Sequence, residues 1–150
     1  MTIQEFRCDC PITSALDILG DKWILVIVKQ MLLEGKDTFK EFTDSDEAIA
    51  TNILSAKLTI LQEAGIITKN KLPENKRKNL YLLTEKGLAL APIIVELANW
   101  SDNHLRDVHP SIQNGEGIQQ LRQDKEAFAT SLIKNYRKRL DEMDYDDSHK

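Results

Sequence analysis

The most constraining stretch of this 150-residue sequence is a helix-forming run that stops on glycine and passes at once into a basic hairpin. From Thr51 to Ala64, at about 100° per residue, Leu54, Leu58 and Leu61 share one stripe. Thr51, Ser55, Thr59 and Gln62 share another, with Asn52 at its edge. The first stripe predicts a face turned to a core. The second is built from short polar side chains, which is unusual for a face that meets only solvent. Gly65 can stop the helix, Ile66-Ile67-Thr68 reads as a strand, and Asn79 to Leu83 reads as its partner. Between them lie the turn-prone Leu72-Pro73-Glu74-Asn75 and five cations, Lys69, Lys71, Lys76, Arg77 and Lys78. Only Glu74 opposes them, so the tip holds an excess of four positive charges in a chain whose net charge is -4.

A helix with a small polar face followed directly by a basic hairpin is the plan of a winged helix, in which the helix enters the DNA major groove and the hairpin follows the phosphates. Short side chains let a helix approach base edges closely. Asn can bond an adenine edge with two hydrogen bonds, and a Thr methyl can meet a thymine methyl. The rest of the chain supplies a scaffold of matching kind. Pro11 opens a first helix that stops at Gly20, and Asp21 caps a second, Lys22 to Leu33, which Gly35 ends. This second helix is apolar almost all round (Trp23 to Val28) and belongs at the centre of the fold. Thr38 caps a short third helix bearing Phe39 and Phe42. Thr84 caps a helix running towards Trp100, with a kink expected at Pro92. The chain loosens around Pro110, Gly115 and Gly117, and a last helix is expected from about Ile118 to Leu140. Asp141 to Lys150 reads as an acidic, mobile tail.

Composition excludes several classes. At 41% hydrophobic the chain is too apolar for wholesale disorder, and its length suits one domain with an appended arm. The longest apolar run, Trp23 to Val28, falls far short of the ~18–20 residues of a membrane span. The amino terminus lacks the layout of a secretion signal, so the expected location is the cytoplasm. An acidic balance argues against coating nucleic acid through bulk charge, so any contact must be local. No glycine-rich phosphate loop is present, and no serine or cysteine has a base at motif spacing, so an enzyme is not expected. Cys8, Cys10, His104 and His109 match no zinc spacing, and neither metal nor cofactor is expected.

The sequence resembles the HxlR-type family of bacterial winged helix-turn-helix regulators. The resemblance is carried by Cys10-Pro11, Leu16 to Trp23, Phe39 with Phe42, Ile49 to Ser55, Leu58, Leu61, Gly65-Ile66-Ile67, Tyr81, Leu83 to Gly87 and Leu90-Ala91-Pro92, in that order, across about Cys8 to Trp100. It implies a homodimer on a pseudo-palindromic operator. The first helix and the helix after the wing would form much of the dimer interface, through Ile12, Leu16, Ile93, Leu97 and Trp100. Members of the family usually carry Arg where Lys57 stands. Lys57 also lies off the polar face, which favours a phosphate contact over base reading. Some members sense oxidants through a cysteine at the position of Cys10. A helix N-terminus favours its thiolate, whereas Asp9 opposes it and Arg7 is the one nearby cation. Two cysteines one residue apart bridge each other only with strain, so an intersubunit bond is the more plausible oxidised form. The competing reading is two ordinary reduced thiols.

The expected fold is therefore mainly α with a small β-hairpin wing, a winged helix-turn-helix with an additional C-terminal helix. Residues 1–102 would form the DNA-binding domain with its dimerisation helices, and 103–150 a helical extension with an acidic tail. Thr51, Asn52 and Ser55 are expected in the major groove. Lys57, Lys76, Arg77, Lys78 and, more weakly, Lys40 are expected on phosphates. Cys10 and Cys8 are the candidate thiols for an oxidant signal, and a small-molecule signal stays open. The alternative from another class is a winged helix that docks on protein and never touches DNA.

Overall fold

The computed structural model describes residues 5–72, 74–115 and 117–148, with side chains described as far as residue 143. The chain divides into two compact units, Met1–Leu88 and Ala89–Lys150.

The first unit begins with helix α1 (Pro11–Leu19), which Pro11 opens and Gly20 closes, and helix α2 (Lys22–Glu34) follows. Asp21 caps α2 by accepting the Trp23 N–H at 2.8 Å, and Gly35 ends it. Ile24, Ile27, Val28 and Met31 of α2 are almost fully buried, which makes it the central helix of this unit. Helix α3 (Phe39–Thr43) starts at Thr38, whose hydroxyl accepts the Glu41 N–H while Glu41 reaches back to it, a reciprocal cap. Helix α4 (Thr51–Glu63) packs Leu54, Leu58 and Leu61 against α2 and α3. The stretch α3–turn–α4 is a helix-turn-helix.

Gly65, at φ +75°, turns the chain out of α4 through a left-handed conformation that a side chain would resist. Strand β1 (Ile67–Lys71) then pairs antiparallel with β2 (Asn79–Leu83) in the register Ile67↔Leu83, Lys69↔Tyr81, Lys71↔Asn79. On its other edge β2 donates the Tyr81 N–H to the Asp37 carbonyl at 2.8 Å, which anchors the wing beside α3. Thr84 locks the hairpin base. Its hydroxyl donates to the Gly65 carbonyl at 2.6 Å and accepts the Gly87 N–H of helix α5 (Glu85–Leu88) at 3.1 Å.

From Thr84 onward the structure differs from the sequence reading in three places. The single kinked helix expected from Thr84 to Trp100 is two helices, α5 and α6 (Ala91–His104), and Pro92 occupies the first turn of α6. A proline ring clashes with the carbonyl four residues earlier, here Leu88, where α5 stops, and in a first turn its missing N–H costs nothing. The expected helix from Ile118 is likewise two, α7 (Ile118–Gln123) and α8 (Lys125–Ser148), preceded by a 3₁₀ turn (Pro110–Asn114). Asp124 makes the break: its backbone is extended and its carboxylate accepts the Ala127 N–H at 3.1 Å, capping α8. Helix α8 also runs on through Ser148, so the acidic segment expected to be mobile is helical that far. Lys138 and Glu142 stand one turn apart there, a spacing that supports a polar helix.

Helix α6 packs on α7 and α8 around Val95, Leu121 and Ala129, with Ile118, Phe128 and Leu132 against them. Asp102, 3% exposed, accepts two hydrogen bonds each from the side chains of Arg106 and Arg122, joining α6 to α7. No helix among the described residues is long and apolar enough to cross a membrane.

Candidate nucleic-acid interface

Burial of Leu54, Leu58 and Leu61 fixes the rotation of α4 and leaves Thr51, Asn52, Ser55 and Thr59 exposed. Thr59 spends its hydroxyl on the Ser55 carbonyl at 3.1 Å, and Gln62, half-buried, donates to the Leu58 carbonyl at 3.2 Å. These two are committed to their own helix. Thr51, Asn52 and Ser55 make no side-chain hydrogen bond among the described residues, so their donors and acceptors are available to a base edge. Ala50, the N-cap, offers no side chain to the first-turn N–H groups, which leaves that end open to a phosphate oxygen. Sequence reasoning passed over this feature. Its signal was an alanine where Ser, Thr or Asp commonly stands.

The hairpin tip is a closed turn. Asn75 accepts the Arg77 N–H on its side chain at 3.1 Å and the Lys78 N–H on its carbonyl at 3.0 Å. Lys76, Arg77 and Lys78 are exposed on this turn and form no ion pair among the described residues. Pro73, part of the predicted turn, lies outside the described residues. Lys69 and Lys71 are exposed on β1, and Lys71 donates to Asn79 at 2.9 Å. Lys40, exposed on α3, is likewise without an ion pair among the described residues.

Lys57 has a different setting. Its ammonium lies 2.9 Å from the Asp21 carboxylate, and its side chain is only 20% exposed. Asp21 thereby caps α2 with one oxygen and ties α4 to it with the other, and the Lys57 hydrogen bond holds the Asp21 carboxyl below its usual range.

Cys8 and Cys10 are exposed free thiols. Cys10 occupies the N-cap of α1, where the Thr13 N–H and hydroxyl, then the Ile12 N–H, pull its pKa below the ordinary thiol value; none of them closes a full capping bond to the sulfur. Arg7 offers the thiol no charge, because its guanidinium is turned to Asp17 with Nε donating at 2.7 Å. Among the described residues no three His, Cys, Asp or Glu side chains gather as a metal set.

The five apolar residues assigned to a partner subunit are all exposed, from Ile93 at 40% to Ile12 at 72%. Helix α1 buries none of its residues. On α6, Ile94 and Val95 face inward, whereas Ile93, Leu97 and Trp100 line an open groove with His104, whose ring centroid lies 5.3 Å from that of Trp100.

Comparison with known proteins gives the family to which this fold belongs. A family model described as HxlR-like helix-turn-helix matches residues 18–109. The HTH-type transcriptional regulator YodB of Bacillus subtilis (strain 168) is 36% identical over 94 residues, which span 62% of this chain and 83% of YodB. The regulator YvaP of the same organism is 37% identical over 93 residues, 61% of this chain and 85% of YvaP. Among solved structures, the reduced form of YodB from B. subtilis superposes with a TM-score of 0.53 at 33% identity, covering 65% of this chain and 95% of that one. The redox regulator HypR in its oxidized form gives 0.56 at 30% identity, covering 63% and 97%. The family match takes in the helix-turn-helix, the wing and α6, and on that ground the chain belongs to the HxlR-like helix-turn-helix family of DNA-binding transcription regulators.

Proposed function

We propose that the protein acts as a homodimer on a pseudo-palindromic operator, with α4 in the major groove and the β1–β2 tip on the flanking phosphates. One observation carries the reading: Thr51, Asn52 and Ser55 on α4, and Lys76, Arg77 and Lys78 on the wing, are exposed and hold their side-chain polar groups uncommitted among the described residues. Base edges need free donors and acceptors on short side chains, and phosphates need free cations. Lys40 adds a phosphate contact from α3. Lys57 reaches a phosphate only by leaving Asp21, so its contribution is the smallest of the set. Dimerisation is supported by α1, a nine-residue helix with no buried residue. Helices that short are marginal in water and need a packing partner. Cys10, with its lowered pKa and exposure, is the thiol through which an oxidant would act, in keeping with the redox regulator among the similar structures.

Anisotropy titrations across salt concentrations test the division of labour between helix and wing. Arg77→Ala is expected to weaken binding to every duplex alike and to flatten the salt slope by about one charge per half-site. Asn52→Ala is expected to relax preference at one base pair per half-site by about 1–3 kcal/mol while leaving the slope unchanged. Equal losses on all duplexes from both variants would overturn the assignment. The absence of any salt-dependent, sequence-selective binding would instead favour the protein-docking alternative.

A further inference from the structure

The turn that aims α4 is tied to α2 by a side chain that the reading so far has not used. Glu47 lies in the connection between α3 and α4. Its Oε1 accepts the Lys29 ammonium and its Oε2 accepts the Gln30 amide N–H at 2.7 Å. Both partners are on α2, the most buried helix of its unit. The next residue, Ala48, sits at φ +54°, a left-handed conformation that a residue with a side chain enters only when its surroundings impose it. Ser45 closes the first half of the connection by donating to the Phe42 carbonyl at 2.7 Å, and Ile49 is buried just before α4 begins. Ala50 adds no cap, so the entry of α4 depends on how this connection is held.

Gln30 makes the arrangement unusual. It is fully buried, and its Oε1 is a buried acceptor with no partner among the described residues. An ionised carboxylate can only accept, so the amide must turn its NH2 to Glu47 and leave its oxygen orphaned. A leucine would fill the same space without the orphaned oxygen, and the Glu47 Oε2 it releases belongs to a part-exposed side chain that water can reach. The core thus keeps a polar residue, at a cost, whose side-chain hydrogen bond goes to the helix-turn-helix connection.

From these observations we infer that Glu47 is a positioning residue for DNA recognition: by bridging Lys29 and Gln30 it holds the connection that presents Asn52 and Ser55 to base edges in one orientation. The inference rests on the recognition-helix reading above. Non-specific affinity comes from cations on phosphates and tolerates a small rotation of α4. Base reading through paired hydrogen bonds does not. A loosened connection therefore lowers discrimination between sequences more than it lowers affinity.

The test uses a duplex selected from a random-sequence pool by the wild-type protein, and a scrambled duplex of equal length. The ratio of the two affinities is read well below the melting temperature. Glu47→Ala removes the bridge. Glu47→Gln carries the same net charge as Glu47→Ala but can restore the Gln30 half of the bridge, accepting from the Gln30 N–H and donating to the orphaned Oε1. Gln30→Leu cuts the bridge from the scaffold side while relieving the orphan, so it is expected to melt no lower than wild type. The ratio is expected to fall about fivefold or more in Glu47→Ala and Gln30→Leu and to stay near wild type in Glu47→Gln. A wild-type ratio in Gln30→Leu overturns the inference, including the case in which Glu47→Ala does not fold. Should the wild-type protein enrich no sequence from the pool, the recognition-helix reading fails first and takes this inference with it.

Discussion

Asp102 and Glu47 show how the same functional group serves the two units differently. Asp102 is sealed under two guanidiniums, and the hydrogen bonds from Arg122 and then Arg106 hold its carboxyl far below the usual range. Glu47 is only partly shielded. Burial pushes its pKa up, but the hydrogen bonds from Lys29 and Gln30 outweigh that and bring it down to about 2. A folded-state pKa below the unfolded value means that ionisation stabilises the fold. That stability is fully present above about 4.5 and is lost as pH falls towards about 2. Wild-type melting temperatures are therefore expected to fall across that window. Glu47→Gln should start lower, having given up the Lys29 ion pair, and show a shallower fall, because Asp102 and other carboxylates titrate in both proteins. Parallel curves for the two proteins by circular dichroism would show that Glu47 contributes nothing to acid stability.

At the scale of elements, the contact that couples helix α5 to the wing is backbone against backbone. Gly87 packs so closely on the Ile66 carbonyl that a Cβ there would stand 2.3 Å from the oxygen. Gly87→Ala is accordingly expected to cost about 2–4 kcal/mol and to loosen the hairpin base, read as a lower melting temperature and faster amide exchange at Thr84 and Gly87. An unchanged melting temperature would mean that α5 shifts freely. Much of this architecture was legible in the sequence, because it depends on caps. Pro11, Asp21, Gly35, Thr38 and Gly65 mark their helix ends where the structure has them, and the period-3.6 leucines of α4 fixed its buried face. Two of the departures have one cause in common, a helix boundary set by a single residue. Pro92 was read as a kink when its clash with the Leu88 carbonyl ends one helix and starts another, and Asp124 was read as an interior residue when it caps α8. What the sequence could not give was commitment. Thr59 and Thr51 look alike on a helical wheel, yet only Thr59 spends its hydroxyl on its own helix. Lys57 looks as free as Lys76 until Asp21, thirty-six residues away, is found beside it.

For the whole molecule, the question is how a chain of net charge -4 binds a polyanion. In the proposed dimer, pairing two copies would double the acidic charge, but it would also place two wings and two α4 helices on one duplex, with only the local cations near phosphates. Avidity, not bulk charge, would then carry the affinity. The residues that would join the copies are exposed in the isolated chain: Leu97 at 51% and Trp100 at 57% on α6, and Ile12 and Leu16 on α1. Because Leu97 is so exposed, Leu97→Glu disturbs little within its own chain, and its effects report on a partner. It is expected to convert a dimer to a monomer in gel filtration with light scattering and to lower affinity for a two-half-site duplex by about a hundredfold, with little change on a single half-site. In the same samples diamide is expected to trap wild type as a covalent dimer on a non-reducing gel, with Cys10→Ser and Leu97→Glu both running as monomers. A Leu97→Glu protein that elutes with wild type would move the interface off α6, and a diamide-treated wild type that runs as a monomer would remove the intersubunit disulfide.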